Sequence, residues 1–156
     1  MELRPFSPDG AGRVASWATT PREATLWCGH SDGLVPEEKV RAWATEDGVR
    51  PFGLFDPDLV AYGELWLDDD EQEVELARLI VDPARRGQGL GRTLVTELTR
   101  RAREHYPQIF LRVHPDNAAA LRCYAAAGFV PVDPVLQAEW NAPQPVSYVW
   151  LTLPGE

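Results

Sequence analysis

The chain has only two cysteines and three histidines in 156 residues, and nowhere strings together the 18 or so uncharged apolar residues that cross a bilayer. Cys28 and Cys123 form no CxxC pair and have no histidine at ligand spacing, so neither a disulfide framework nor a zinc site is signalled. Both are expected as free thiols. His30, His105 and His114 are scattered, and no metal is expected. The opening MELRPFSPDG lacks the apolar stretch of a secretory signal, so a soluble cytoplasmic protein with no membrane partner is expected. Repeats, low-complexity tracts and linkers are also missing, which predicts one domain over residues 1–156, long enough to bury roughly 70% of its unfolded surface.

What is present is ordinary in amount and uneven in placement. Hydrophobic residues make up 44% and charged residues 25%, which excludes a disordered or collagen-like chain. A net charge of -9 argues against a nucleic-acid partner, because such binding neutralises phosphates with Lys and Arg. Yet residues 85–122 hold eight arginines against Glu97, Glu104 and Asp116. Such a segment either receives a small polyanion or is a charged helix face in water, and charge alone does not separate the two.

Periodicity places the elements. ELRPF reads as a short strand, and Ser7 or Asp9 caps a helix carrying Val14, Trp17 and Ala18. PREATLWCG and PEEKVRAWATEDG read as two more helices, closed by Gly29 and near Gly48. RPFGLFD, LVAYGELWL and EVELARLIV fit three strands of an antiparallel meander with turns at 56–58 and 68–72. Leu90, Leu94, Leu98 and Ala102 recur every fourth residue on a helix running to about Tyr106. QIFLRV is a buried strand, and Asp116 or Asn117 caps a helix that stops at Gly128. FVPV and VSYVWLTL are further strands, and the prolines of residues 133–145 predict a loop between them. The order implies an α/β fold: a mixed, mostly antiparallel sheet of about 6–7 strands with helices on both faces.

The stretch LIVDPARRGQGLGRTLV, residues 79–95, runs from a strand through a proline turn and three alternate glycines straight into a helix. It has the makings of an anion cradle. Gly87, Gly89 and Gly91 permit close backbone approach, the first helical amides have no internal partner, and Arg86 and Arg92 add charge. GQGLGR matches neither the GxGxxG fingerprint nor a Walker loop, so a nucleotide-binding reading is poor.

These residues resemble the acetyl-CoA-binding motif of the GCN5-related N-acetyltransferases, [RQ]-x-x-G-x-[GA], here Arg86, Gly87, Gln88, Gly89, Leu90, Gly91. A second stretch, NAAALRCYAAAGF, is similar to the family's N-x-x-A-x-x-x-Y-x-x-x-G-F, with Asn117, Ala120, Tyr124, Gly128 and Phe129 in register. The resemblance implies that the strands ending at Val81 and near Leu111 splay apart. The pantetheine arm of acetyl-CoA then lies along the backbone of Leu79, Ile80 and Val81, its pyrophosphate falls on residues 86–92 including Arg92, and Asn117 contacts the arm. An amide from residues 79–81 would hold the thioester carbonyl.

The same resemblance implies that Tyr124 is the acid that protonates the departing thiolate, and that a Glu near position 75 is the base. Strand parity puts Glu73, Glu75 and Ala77 on one face and Val74, Leu76 and Arg78 on the other, so Glu75 leads, followed by Glu73 and then Glu64. Packing of Tyr124 with Leu121 and solvated carboxylates are the plain alternatives. An N-acetyltransferase acting on a small cationic amine in a ternary complex is therefore expected. Transfer to a protein or peptide amine and a non-catalytic acyl-CoA sensor are the other readings. A homodimer is left open, as is an ammonium cage drawn from Trp17, Trp27, Asp32, Trp43 and Trp140.

Overall fold

A computed structural model describes residues 1–155. Its elements run β1 (Glu2–Pro5), α1 (Ala11–Ala15), α2 (Pro21–Cys28), α3 (Glu37–Trp43), β2 (Val49–Phe55), β3 (Leu59–Asp68), β4 (Glu73–Val81), α4 (Leu90–Arg103), β5 (Gln108–Val113), α5 (Ala118–Ala126), β6 (Val130–Pro131), α6 (Pro134–Asn141) and β7 (Val149–Thr152). All seven strands join one sheet in the order β1-β2-β3-β4-β5-β7-β6. Among the described residues only β4 and β5 pair in parallel; every other neighbour is antiparallel. The expected mixed sheet and meander are therefore present. No helix among the described residues is long and apolar enough to cross a membrane.

Two apolar clusters cover the two faces. On one, Leu90, Leu94, Leu98 and Ala102 of α4 press on Leu65, Val74, Leu76, Ile109 and Leu111, all buried, with Leu121 and Tyr124 of α5 beside them. The four-residue recurrence in α4 is thus the stripe that meets the sheet. On the other face Val14 of α1, Trp17 just after it, and Val40 and Trp43 of α3 cover Tyr62 and Ile80. The third helix, expected to close near Gly48, ends earlier: α3 stops at Trp43, with Ala44 as its C-cap.

The segment 133–145 is not all loop. Pro134 occupies the first turn of α6, where its missing N–H costs nothing, and the Asp133 side chain accepts the N–H of Val135 at 2.9 Å. The expectation counted Pro134 as a breaker, whereas position within the helix decides its effect. Pro143 and Pro145 lie beyond the end of α6, as helix-stopping prolines do.

Strand parity also fails at one place. Tyr62 stands opposite Ile80 and Glu64 opposite Ala77, so Arg78 and Leu79 together face the single residue Gly63. Arg78 takes a left-handed φ of 53° to absorb the extra residue. The bulge returns the Arg78 side chain to the Glu75 and Ala77 face, opposite to its predicted side. Gly63 matches it from β3: an added Cβ would stand 2.7 Å from Leu98 Cδ1 and 3.2 Å from Leu79 Cγ.

Candidate functional site

The parallel ladder between β4 and β5 is short. Glu73, Val74 and Glu75 pair with Gln108, Ile109 and Phe110, and beyond Glu75 the strands separate. A cleft of about 630 Å³ opens in the wedge, walled by Leu79, Ile80 and Val81 on one side and by Asn117, Ala120 and Tyr124 on the other. Arg86, Gly87, Gly89, Leu90, Gly91 and Arg92 line its far end. Of the residues expected around the cofactor, only Gln88 is not on the lining; its Oε1 accepts from Arg85 Nε at 3.0 Å.

The cradle is built by backbone conformation. Gly87 and Gly89 both have φ of 79°, and no atom lies within 4 Å of where a Cβ would stand on either. Their glycines serve the left-handed turn and leave the space above it open. Gly89 is the N-cap of α4 and supplies no side-chain cap, so the first amides of this 14-residue helix have no capping side chain. Gly91 is different: its added Cβ would meet Cys123 Sγ at 3.3 Å, so here the small residue allows α5 to approach α4.

Arg86 of the motif and Arg92, just after it, differ in their contacts. Arg92 makes no hydrogen bond or ion pair among the described residues and lines the cleft with its charge uncommitted. Arg86 donates Nε to the Val81 carbonyl at 3.1 Å and Nη2 to the Trp17 carbonyl at 3.4 Å, with Glu23 at 3.8 Å. It ties the end of β4 to the helices above, and it covers one backbone group expected to meet the cofactor arm.

At its inner end the cleft meets a second cavity of about 190 Å³, and Leu79, Asn117 and Tyr124 line both. Tyr124 packs on Phe129 with ring centroids 6.3 Å apart, and burial pushes its phenol well above the ordinary tyrosine range. Among the described residues no hydrogen bond holds its hydroxyl. Asn117 caps α5 by accepting the Ala120 N–H at 3.2 Å, which settles the cap between it and Asp116 and leaves its amide NH₂ for the cleft.

The second cavity is walled by side chains that the sequence reading passed over. Arg112 donates Nε to Glu75 Oε2 at 2.7 Å and Nη2 to Oε1 at 2.9 Å. Glu75, the expected base, thus reaches the cavity with both oxygens in a bidentate ion pair. Arg112 lies over Trp150 at 4.6 Å and near Trp66 and Tyr148 at 5.7 Å each. Asn141 of α6 holds that aromatic wall, donating to the Tyr148 carbonyl at 2.8 Å and accepting from Trp150 Nε1 at 2.8 Å. An arginine within the apolar strand QIFLRV was the available signal for this site.

Arg78 completes the floor. Its guanidinium sits 4.2 Å from the Trp43 ring centroid and 4.8 Å from that of Trp66, and donates to Glu64 at 3.0 Å. Glu64 is fully buried and also accepts from Tyr62 Oη and from Trp66 Nε1. Burial raises its carboxyl above the usual range against the opposing pull of Arg78. Trp27 Nε1 donates to the Arg78 carbonyl at 2.8 Å, which latches α2 to the bulge. Glu64 is therefore enclosed behind Arg78, and Glu73 lines neither cavity. Of the five residues considered for an ammonium cage only Trp27 reaches the cavities; Trp17 and Trp43 are core.

A family model described as "Acetyltransferase (GNAT) family" matches residues 13–129. The chain is 37% identical over 143 residues to a mycothiol acetyltransferase of Kineococcus radiotolerans, a match covering 83% of this chain and 42% of that protein. Over 57 residues it is 44% identical to the N-alpha-acetyltransferase RimI of Mycobacterium tuberculosis, covering 36% of this chain and 35% of that one. The chain thus spans about two fifths or less of the length of these relatives. Among solved structures, the aminoglycoside acetyltransferase AAC(6')-Ib in complex with coenzyme A and kanamycin superposes with a TM-score of 0.75 at 17% identity, covering 96% of this chain and 92% of that one. Spermidine N-acetyltransferase from Vibrio cholerae, in complex with CoA and spermine, gives a TM-score of 0.71 at 18% identity, covering 85% and 82%. At these identities the likeness is one of fold.

Proposed function

The chain belongs to the GNAT acetyltransferase family, and from that premise we propose that it transfers an acetyl group from acetyl-CoA to a primary amine, directly, within a ternary complex. The carrying observation is one continuous path: open amides and Arg92 at one end, the β4 edge along the middle, and Tyr124 at the junction with a second cavity. In this reading the pyrophosphate of the donor rests on the α4 N-terminus, where the helix dipole and free N–H groups favour negative charge. The pantetheine arm fills the wedge beside Leu79, and a backbone amide of the bulge region takes the thioester oxygen as negative charge develops there.

The acceptor enters from the second cavity. Its neutral nitrogen bonds to the carbonyl carbon, the carbon–sulfur bond breaks, and Tyr124 gives its proton to the thiolate and recovers one from solvent. The nitrogen's own proton leaves through water to Glu75, on lone pairs that the Arg112 fork does not use. A chain charge of -9 favours acceptors that arrive as ammonium ions, which is what supports a small cationic amine.

Calorimetric titration with acetyl-CoA, followed by thiol release across an amine panel, tests the proposal. Micromolar binding that is lost in Gly89→Val, together with amine-dependent thiol release, is the expected result. Binding without release from any amine would leave an acyl-CoA sensor, and no binding would remove the donor assignment. For the base, Glu75→Gln should move the rising limb of the pH–rate profile, and an unchanged limb would remove Glu75 from the proton path.

A further inference from the structure

The cavity beyond Tyr124 presents guanidinium donors despite the acidity of the whole chain. Its charged lining is Glu75, Arg78 and Arg112, but Arg78 is compensated from behind by Glu64 at 3.0 Å and Glu46 at 3.2 Å, which leaves Arg112 as the guanidinium with donors to spare. The guanidiniums are also the more accessible: the side chains of Arg112 and Arg78 are 27% and 16% exposed, that of Glu75 7%. Glu75 spends an oxygen on each arm of the Arg112 fork, whereas Nη1 of Arg112 has no partner among the described residues. A guanidinium carries five N–H donors, so a bidentate pair leaves three unused.

The neutral groups add donors too. Tyr124 and Tyr148 bring hydroxyls with no hydrogen bond among the described residues. His114 also lines the cavity, and its Nδ1 accepts the Asp116 N–H at 3.1 Å, so the neutral ring carries its proton on Nε2. The carboxylates Asp47, Asp68, Asp69 and Asp70 stand in a neighbouring groove that shares Trp66 and Glu75 with this cavity.

Resting on the proposed acetyl transfer, we propose that the acceptor is amino-acid-like: a small primary amine whose own carboxylate docks on the free edge of Arg112. The stacking of Arg112 against Trp150 and its pairing with Glu75 hold that edge in one orientation, so the carboxylate meets a preorganised fork. A cavity of about 190 Å³ suits an acceptor of that size. This narrows the sign expected from the whole-chain charge: the amine arrives as a cation, and the rest of the acceptor is anionic.

The test compares L-amino acids with their own α-carboxamides, with spermidine as a polycationic comparison, by thiol release on the full chain. The carboxylate member of each pair should have the higher kcat/KM by about tenfold or more, as loss of one charge-assisted contact implies. Arg112→Gln should bring that ratio to within about threefold of unity, while Arg112→Lys keeps part of it. In parallel, the thermal shift of the CoA complex with N-acetyl amino acids against N-acetyl amino amides reads the cavity without turnover. A larger shift with the carboxylates supports the proposal even if Arg112→Gln does not fold or no amine is turned over. Equal shifts, or preference for carboxamides, spermidine or a peptide amine with no nearby carboxylate, overturn it. Failure of all amines to release thiol would instead count against acetyl transfer itself, and the two failures are separable.

Discussion

Tyr124 stands where the two cavities meet, its ring wedged against Phe129 and its hydroxyl unheld by protein. Burial keeps the phenol protonated well past neutral pH, the state a proton donor needs. Tyr124→Phe keeps the packing and removes the proton, so kcat should fall by about 10²-fold or more while the acetyl-CoA Kd stays within about twofold. Full activity in steady-state assays would leave Tyr124 a packing residue. Arg78 and Glu64 make a different kind of pair, since Glu64 is fully enclosed and Arg78 supplies its only cation among the described residues apart from solvent. Arg78→Met should lower the unfolding free energy by about 3 kcal/mol at pH 7, because removing one partner of a buried pair strands the other. The deficit should shrink at pH 5. Burial already raises the Glu64 carboxyl in the folded state, and losing Arg78 raises it further. A raised folded pKa means stability that is present below the unfolded value and lost as pH rises, so denaturation at the two pH values checks the sign.

At the scale of elements, the junction from β4 through Gly87 and Gly89 into α4 joins a backbone requirement to the proposed donor site. Gly89 holds φ of 79° with open space above it. Gly89→Ala should cost about 1–2 kcal/mol from the left-handed backbone and should also weaken acetyl-CoA binding by filling that space. Gly33 has φ of 82°, also with nothing within 4 Å, and does not line the cleft. Gly33→Ala is therefore the control: comparable strain in chemical denaturation, unchanged affinity in calorimetry. The element misread from sequence, α6, matters for the same reason. Its Asn141 anchors Tyr148 and Trp150, and those rings orient Arg112. Prolines at 134, 143 and 145 look alike in a string, but only their places relative to the helix start and end decide whether a helix survives them.

For the whole molecule, the wedge between β4 and β5 divides the sheet at their parallel pair, and a ligand filling it would bridge the two halves. A ligand that binds only the folded state stabilises it by about 2.7 kcal/mol at one hundred times Kd. At ~2–4 °C per kcal/mol for a chain of this size, acetyl-CoA should raise Tm by about 5–10 °C, and less in Gly89→Ala at the same concentration. No shift would mean that the wedge is not the donor site. Much of this architecture was legible in the sequence, because alternation along β2 to β4, the four-residue stripe of α4 and the glycine turn are local patterns that each element carries within itself. Those patterns determined the strands of the meander, the α4 stripe and the glycine turn, whereas Tyr124 was reached only through the resemblance of NAAALRCYAAAGF to a family segment. Only the tertiary structure decided the bulge that turns Arg78 toward Glu64, and the pairing of Glu75 with Arg112, 37 residues apart. Both depend on register between strands, and one extra residue opposite Gly63 is enough to exchange the faces on which side chains meet.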